Sequence, residues 1–131
     1  MPHQVVTEKL GRPTEQRRAM VRNLVRSLFL HERIQTTLPK ARVASKMADR
    51  VIAWALAAQR AIEAGDTPQN RAKALHYRRL ALATIPDRDV VQKVFDQLPR
   101  RYRDRTSGFT RIVKVGYRPG DAAHIAILEL V

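Results

Sequence analysis

Residues 111–131 have the sequence RIVKVGYRPGDAAHIAILELV, and this stretch decides the fold. Its two halves, Arg111–Tyr117 and Ala123–Val131, are rich in β-branched and other apolar residues, which predicts two strands. Arg118-Pro119-Gly120-Asp121 between them has the residue types of a tight turn, so the strands are expected to form a hairpin. The second strand is apolar on nearly both faces, which predicts a central, covered strand.

Helical spacing dominates the chain before this hairpin, with one short interruption. Thr14 is a candidate N-cap for a first helix beginning near Glu15, because its hydroxyl can accept a backbone N–H. Arg33–Thr37, with one Ile and two Thr, is predicted to be a brief strand. Pro39 then opens a second helix, where its missing N–H costs nothing. Trp54 is expected in the core, since the apolar face of that helix consists of Val43, Met47, Val51, Trp54, Ala58 and Ile62.

Two further helices are predicted between the second helix and the hairpin. The third runs from about Pro68 to Ala83. Asp87 is expected to cap the fourth helix, and Pro99 is expected to end it, because proline has no N–H to continue the hydrogen-bond ladder. The predicted order of elements is therefore α-β-α-α-α-β-β.

Residues 1–13 contain the helix breakers Pro2, Gly11 and Pro13 and are predicted to be an extended N-terminal arm. Residues 14–131 are predicted to form a single globular domain, since their length suits one core. The expected fold class is α+β. It has two layers, a small three-stranded mixed sheet and about four helices that cover the sheet.

The charge of the chain limits its possible partners. Twenty-five Lys and Arg stand against 12 Asp and Glu, which gives a formal net charge of +13. An excess of this size repels itself unless a polyanion neutralises it, so nucleic acid or an anionic membrane is indicated. No apolar run approaches the roughly 20 residues of a membrane span, and a signal-peptide core is missing, so a membrane partner is not expected. The absence of cysteine fits a reducing, intracellular location.

Catalysis is the weakest interpretation of the sequence. The histidines are scattered and have no metal-ligand spacing; they are His3, His31, His76 and His124. The near-neighbour carboxylates Asp87 with Asp89, and Glu63 with Asp66, lie at predicted helix ends, where capping explains them. We therefore expect no enzymatic activity, no metal, no cofactor and no small-molecule substrate.

Basic residues, in contrast, form regular patterns. Arg18, Arg22 and Arg26 follow one edge of the first helix at four-residue spacing, and a similar ladder is found on the second helix. Between Arg100 and Arg111 lies an arginine-rich loop, whose guanidinium groups suit phosphate oxygens and whose aromatic rings suit bases. Solvated helix faces and a mobile basic loop are the alternative explanation. The agreement of three such features with the net charge favours nucleic acid.

The predicted RNA-binding residues come from the arm, the two ladders, the loop and the hairpin. Tyr102 and Phe109 are the candidates for an exposed ring, although Phe109, beside the strand, can also pack inward. Arg101, Arg103 and Arg105 alternate along a segment expected to be extended, so they could point the same way. The full set is Arg12, Arg17, Arg18, Arg22, Arg26, Lys40, Arg42, Lys46, Arg50, Arg100, Arg101, Tyr102, Arg103, Arg105, Arg111, Lys114 and Arg118.

The kind of nucleic acid follows from how the charge is distributed. No helix-turn-helix spacing or dimer zipper is visible, and positive charge spread over several elements suits a large folded RNA. Residues 14–131 are thus predicted to be an RNA-binding domain. A DNA- or RNA-binding regulator acting outside the ribosome is the alternative, and a small hydrolase or nuclease is a third class that would need a clustered acidic or metal site.

Several segments resemble one known family. With x for positions that do not count toward the resemblance, they are Arg17–Leu24 (RRAMxRNL), Arg33–Ala41 (RIQTTLPKA), Arg101–Ile112 (RYxDRxxGFTRI), Arg118–Asp121 (RxGD) and Glu129–Val131 (ELV). In order and separation they are similar to the L17 family of bacterial large-subunit ribosomal proteins. The resemblance implies an α/β body and a structural, non-enzymatic role in the cytoplasmic ribosome. It also implies binding to 23S-type ribosomal RNA near the nascent-chain exit side, with other large-subunit proteins as neighbours.

The sequence departs from the family pattern in three places. Residues 2–16 are less basic than the usual arm, so the arm is expected to make fewer or rearranged RNA contacts. Residues 57–71 are longer than the usual connection between helices, which predicts an extended second helix or an outward loop. Ser107 stands where glycine is common, so a different loop conformation is expected.

Overall fold

The computed structural model of the chain describes residues 14–131, so the predicted arm and Arg12 lie outside the described residues. The order of elements is the predicted one. The elements are α1 (Thr14–His31), β1 (Arg33–Thr37), α2 (Leu38–Glu63), α3 (Pro68–Thr84), α4 (Arg88–Arg101), β2 (Thr110–Tyr117) and β3 (His124–Leu130). The α+β class is confirmed, with four helices and one three-stranded sheet in the described part of the chain.

The sheet has the strand order β1-β3-β2, so β3 is central, as its apolar sequence predicts. Both pairings are antiparallel, and the expectation of a mixed sheet is therefore wrong. The reason is the position of β3: β1 and β2 run in the same direction, but β3 lies between them and is antiparallel to each. The direction of β1 relative to β3 is set by the path of the chain between them, which no local pattern indicates.

Only one face of β3 is fully covered. Ala126, Leu128 and Leu130 are buried, while Ile125 and Ile127 between them are partly exposed. On the same open face, Val113 of the neighbouring β2 is 40% exposed. The covered strand that its sequence predicts is therefore fully covered on one face and partly open on the other. Apolar residues on the second face reflect strand propensity more than burial.

The chain divides into two compact units, and the described residues of the first are 14–47 and 110–130. In this unit α1 lies against β1 and β3. The buried side chains of α1 are Val21, Val25, Leu28 and Phe29, which recur at helical spacing along one face. The first part of α2 also belongs here, and Ser45 Oγ lies 2.7 Å from Thr110 Oγ1 of β2.

The second unit contains residues 48–109 and 131. It consists of the rest of α2, α3 and α4, with α3 in contact with α4. Its buried side chains include Ile52 of α2, Ile85 after α3, and Val91 and Phe95 of α4. Whether residues 14–131 behave as a single globular domain stays a prediction.

The buried face of α2 differs from the predicted one. Trp54, which the sequence predicts to lie in the core, is partly exposed, and Ile62 is 45% exposed. Val51 and Ala58 of the predicted face are buried as expected. The buried positions of α2 are mainly small side chains: Leu38, Ala41, Ala44, Ala48, Val51, Ile52, Ala55, Leu56, Ala58 and Ala61. Alanine allows close approach of packed elements, and a search for large apolar residues therefore misses most of the buried side of this helix. Of the two alternatives for residues 57–71, the structure has the extended second helix and not the outward loop, since α2 continues to Glu63 and only a short turn precedes α3.

For helix α4, the predicted first boundary is correct and the predicted last boundary is wrong. Asp87 is the N-cap, and its side chain accepts hydrogen bonds from the backbone N–H groups of Asp89 and Val90 at 3.1 and 3.3 Å. Pro99, however, lies inside the helix, which continues to Arg101. In the last turn a proline removes only one backbone donor, and the N–H of Tyr102 still reaches Leu98 O at 2.9 Å.

No helix among residues 14–131 is both long enough and apolar enough to cross a membrane.

Candidate nucleic-acid interface

The basic ladder on α1 lies beside its buried stripe. Arg18 and Arg26 are exposed and Arg22 is partly exposed, because the four-residue spacing keeps them on one side of the helix while Val21 and Val25 face the core. Arg17 is partly exposed. Arg18 and Arg22 form no ion pair within residues 14–131, so their charges are available to an external anion.

Helix α2 presents the second ladder. Arg42, Lys46 and Arg50 are all exposed, and Lys40 is partly exposed. The buried alanines of this helix lie on a different face, so the ladder is directed to solvent. In the described part of the chain Lys46 and Arg50 have no ion pair or hydrogen-bond partner from another side chain.

The arginine loop does not have the predicted extended form. Arg100 and Arg101 belong to the last turn of α4, and a turn follows, in which Arg105 N donates to Tyr102 O at 2.9 Å. Arg101 Nε donates to Val131 O at 3.2 Å, and Arg105 Nη1 donates to Gly108 O at 3.0 Å. Arg103 Nη2 lies 3.3 Å from Glu63 Oε1. The prediction that Arg101, Arg103 and Arg105 align is therefore wrong.

Tyr102 is buried, so the prediction that its ring lies at the wet surface is wrong. The residue is 2% exposed, and its ring centroid lies 5.3 Å from that of Phe109. Its hydroxyl lies 3.3 Å from Phe109 O and 3.0 Å from Val131 O and donates to these carbonyls. The sequence contains a signal for this burial, because Tyr102 continues the helical spacing of Val91, Phe95 and Leu98. Phe109 is also buried, at 1% exposure.

The three predicted residues of the hairpin have different environments. Arg111 donates from Nε and Nη2 to Glu129 Oε1, its cross-strand neighbour, at 2.9 and 2.7 Å. Arg118 forms an ion pair with Asp121 across the turn. Lys114 is exposed, and no partner holds its ammonium group within residues 14–131.

The Arg118–Asp121 pair shifts both acid–base equilibria. The hydrogen bond from Arg118, followed by that from the Ala123 N–H, lowers the pKa of Asp121 from 3.8 to about 2. The hydrogen bond and charge of Asp121 raise the pKa of Arg118. Both groups therefore stay ionised at neutral pH, and the turn keeps its charge pair.

The structure thus divides the predicted cations into two groups. Arg103, Arg111 and Arg118 already face a carboxylate, whereas Arg18, Arg22, Lys46, Arg50, Arg100 and Lys114 do not within the described residues. Six further exposed cations of the described chain lie outside the predicted set, because a search for four-residue ladders passes over them: Arg33, Arg60, Arg71, Lys73, Arg79 and Arg88. Arg71 forms an ion pair with Asp66. Within residues 14–131 no group of three or more His, Asp or Glu side chains is arranged to hold a metal ion.

Comparison with known proteins gives the family. The model of the family described as ribosomal protein L17 matches residues 20–131. The chain belongs to the ribosomal protein L17 family. The resemblance found in the sequence is confirmed, and this membership gives the chain a structural role in the ribosome and not an enzymatic one.

Individual relatives are similar over most or all of this chain. The large ribosomal subunit protein bL17 of Myxococcus xanthus is 45% identical over 131 residues, which is 100% of this chain and 84% of the relative. The bL17 protein of Dictyoglomus thermophilum is 39% identical over 131 residues, with 100% of both chains covered. That of Caldanaerobacter subterraneus is 46% identical over 123 residues, 94% of this chain and 96% of the relative.

Proposed function

We propose that this L17-family chain is a structural constituent of the large ribosomal subunit that binds and stabilises 23S-type ribosomal RNA. Its place of action is the cytoplasmic ribosome, near the nascent-chain exit side, and its other partners are neighbouring large-subunit proteins. Full-length similarity to proteins named large ribosomal subunit protein bL17 supports the choice of subunit. The position near the exit side rests on the resemblance of the sequence segments to the family.

The observation that most supports RNA binding is the set of unpaired cations on the helix ladders. Arg18 and Arg22 on α1, and Lys46 and Arg50 on α2, make no ion pair within residues 14–131. Repelling charges at four-residue spacing slightly destabilise a free helix, and an RNA backbone beside them reverses that cost. Each phosphate contact also releases condensed counterions, which is the main sequence-independent source of affinity.

The paired arginines have a second role in this proposal. Arg103 and Arg111 each connect two segments through a carboxylate, and Arg118 pairs with Asp121 within the hairpin turn, so these pairs hold the loop and the hairpin in shape. A guanidinium has five N–H donors, so each of these side chains can still donate to a phosphate after its carboxylate is satisfied. We expect each of these three arginines to contribute less to RNA affinity than a ladder residue does.

The test of subunit and position uses assembled particles. Tagged full-length chain is added during reconstitution of large subunits, and the particles are washed at high salt and sedimented. We expect the chain to co-sediment with the large subunit and to cross-link to proteins at the nascent-chain exit side. Recovery of the chain only in the ribosome-free fraction would contradict the proposal. Cross-links confined to proteins distant from the exit side would contradict the position alone.

A further inference from the structure

Tyr117 is the most exposed large apolar side chain among residues 14–131. It is 67% exposed, against 2% for Tyr102. Aromatic rings contribute most to stability when they are buried, so this ring adds little to the fold. Its hydroxyl has no hydrogen-bond partner in the described part of the chain.

A β-bulge sets the position of this ring. Lys114 pairs with Ala126 and Gly116 pairs with Ile125, so Val115 is an extra residue in β2. Gly116 has a φ of 128°, which other residues rarely adopt, and the bulge is therefore specified by the sequence. After the bulge Tyr117 lies directly across from His124 of β3. The two ring centroids are 4.7 Å apart with an interplanar angle of 47°, so His124 supports the tyrosine ring.

The turn beside these rings is held firmly. Arg118 N donates to Ala123 O at 2.7 Å, and Ala122 N donates to Arg118 O at 2.9 Å. Ala123 N donates to Asp121 Oδ1 at 3.1 Å, and Arg118 Nε donates to the same oxygen at 3.1 Å. A ligand that meets an ordered hairpin loses little free energy to the ordering of loops.

Lys114 lies on the same face of the sheet as Tyr117. Their cross-strand partners Ala126 and His124 are two residues apart on β3 and therefore point to the same side. Lys114 is exposed, and its ammonium group has no partner within residues 14–131. Ala126 and Leu128 are buried on this face, but its part with Lys114, Tyr117 and His124 is exposed. That part combines an exposed ring with an unpaired cation, which is the combination that binds the bases and phosphates of single-stranded nucleic acid.

We propose that Tyr117, supported by His124, is a stacking platform for an unpaired base of RNA, with Lys114 binding a neighbouring phosphate. This inference rests on the proposed RNA-binding function and adds a base contact to its phosphate contacts. A protein partner would need a continuous apolar surface, whereas the exposed neighbours of Tyr117 on this face are Lys114 and His124. The net charge of +13 favours a polyanion in the same position.

The direct test is photochemical. The full-length chain is bound to purified large-subunit ribosomal RNA and irradiated with short-wavelength ultraviolet light, and the nucleotide adducts are located by mass spectrometry of tryptic peptides. Trypsin cleaves after Lys114 and leaves Arg118-Pro119 intact, so residues 115–131 form one peptide. We expect a nucleotide adduct on Tyr117. Its absence, under conditions where the parent chain binds the RNA, would overturn the platform and leave the proposed function standing.

Substitutions provide the second readout. Tyr117→Leu keeps an apolar side chain but removes the π-face, and we expect RNA affinity to fall roughly tenfold, while Tyr117→Phe keeps it. The matched control is Tyr77→Leu, because Tyr77 is a partly exposed tyrosine whose ring also lies beside a histidine, His76, at 5.4 Å. This control is expected to bind like the parent, and thermal melting checks that all three variants fold.

The remaining outcomes are also decisive. If Tyr117→Leu binds RNA like the parent, the platform is wrong. If, in addition, particles reconstituted with the Tyr117→Leu variant lack a neighbouring large-subunit protein, the ring contacts that protein and not RNA. If the parent chain itself fails to bind ribosomal RNA, the proposed function fails together with this inference.

Discussion

At the scale of single residues, Tyr102 and Tyr117 have the same side chain but different roles, because their environments differ. Tyr102 ends α4, and its hydroxyl donates to the carbonyls of Phe109 and Val131 in the interior of the second unit. Tyr117 lies after the bulge of β2 with its ring open to solvent. Burial makes the first residue a structural one, whereas exposure beside Lys114 makes the second a candidate for RNA.

Removing the Tyr102 hydroxyl is expected to lower stability slightly. The two carbonyls each keep another donor, since Phe109 O also accepts from Val131 N and Val131 O from Arg101 Nε. Tyr102→Phe should therefore lower the free energy of unfolding by about 1 kcal/mol, measured by urea denaturation. Tyr117→Phe is the control and should leave it unchanged. Equal losses in the two variants would show that the hydroxyl of Tyr102 is not a buried donor.

The ion pair of the hairpin makes a prediction about pH. The pKa of Asp121 is lowered from 3.8 to about 2. The ion pair therefore stabilises the turn fully at pH values above 3.8, and this stabilisation is lost as the pH falls through about 2. NMR titration of the Asp121 carboxyl carbon should give a midpoint near 2. Arg118→Gln should return the midpoint towards 3.8, because the main cause of the shift is then removed. A midpoint near 3.8 in the parent chain would mean that the pair does not form in solution.

At the scale of elements, local signals predicted much of what the structure contains. The Asp87 cap, the brief strand Arg33–Thr37 and the turn after Tyr117 depend on neighbouring residues, and all three are where the sequence places them. The direction of β1 relative to β3 depends on distant residues, and no single window of sequence contains it. The burial of Tyr102 has a local signal, its helical spacing with Phe95 and Leu98, but the arginines around it favour a surface position.

Helix α2 is the clearest case of a buried face that differs from the one predicted from the sequence. Two isoleucines of this helix can test which face is buried. Ile52 is fully buried and Ile62 is 45% exposed, although the large apolar residues predict that Ile62 faces the core. Ile52→Ala should lower the free energy of unfolding by about 2–5 kcal/mol, because it leaves a cavity. Ile62→Ala should lower it by less than about 1 kcal/mol. Chemical denaturation measures both values, and the reverse order would refute the buried face described above.

At the scale of the whole molecule, the net charge of +13 explains why a polyanion is needed, and the ion pairs explain which cations are available to it. Composition alone predicts the excess charge, and helical spacing predicts the ladders. Neither could show that Arg111 and Arg118 face Glu129 and Asp121, since the pairing across strands and turns depends on the folded register. The available charge is therefore a property of the fold as well as of the sequence.

The α2 ladder allows the central claim to be tested with matched variants. Lys46 and Arg50 are four residues apart and share one side of the helix, so both can follow one phosphate backbone. Lys73 and Arg79 on α3 are also exposed and have no ion pair within residues 14–131, but their six-residue spacing puts them on different sides. Lys46→Gln with Arg50→Gln, and Lys73→Gln with Arg79→Gln, each remove two positive charges, so a difference between them reports position and not net charge.

The most direct measurement is the affinity of the parent chain and these two variants for purified large-subunit ribosomal RNA over a range of salt concentrations. For about six phosphate contacts, the parent should show a log–log slope of about −4 to −5. Loss of the α2 ladder should make that slope shallower by one to two units (about one per contact) and weaken binding well beyond the α3 control. A parent affinity that hardly changes with salt, or a ladder variant that binds like the parent, would contradict the account.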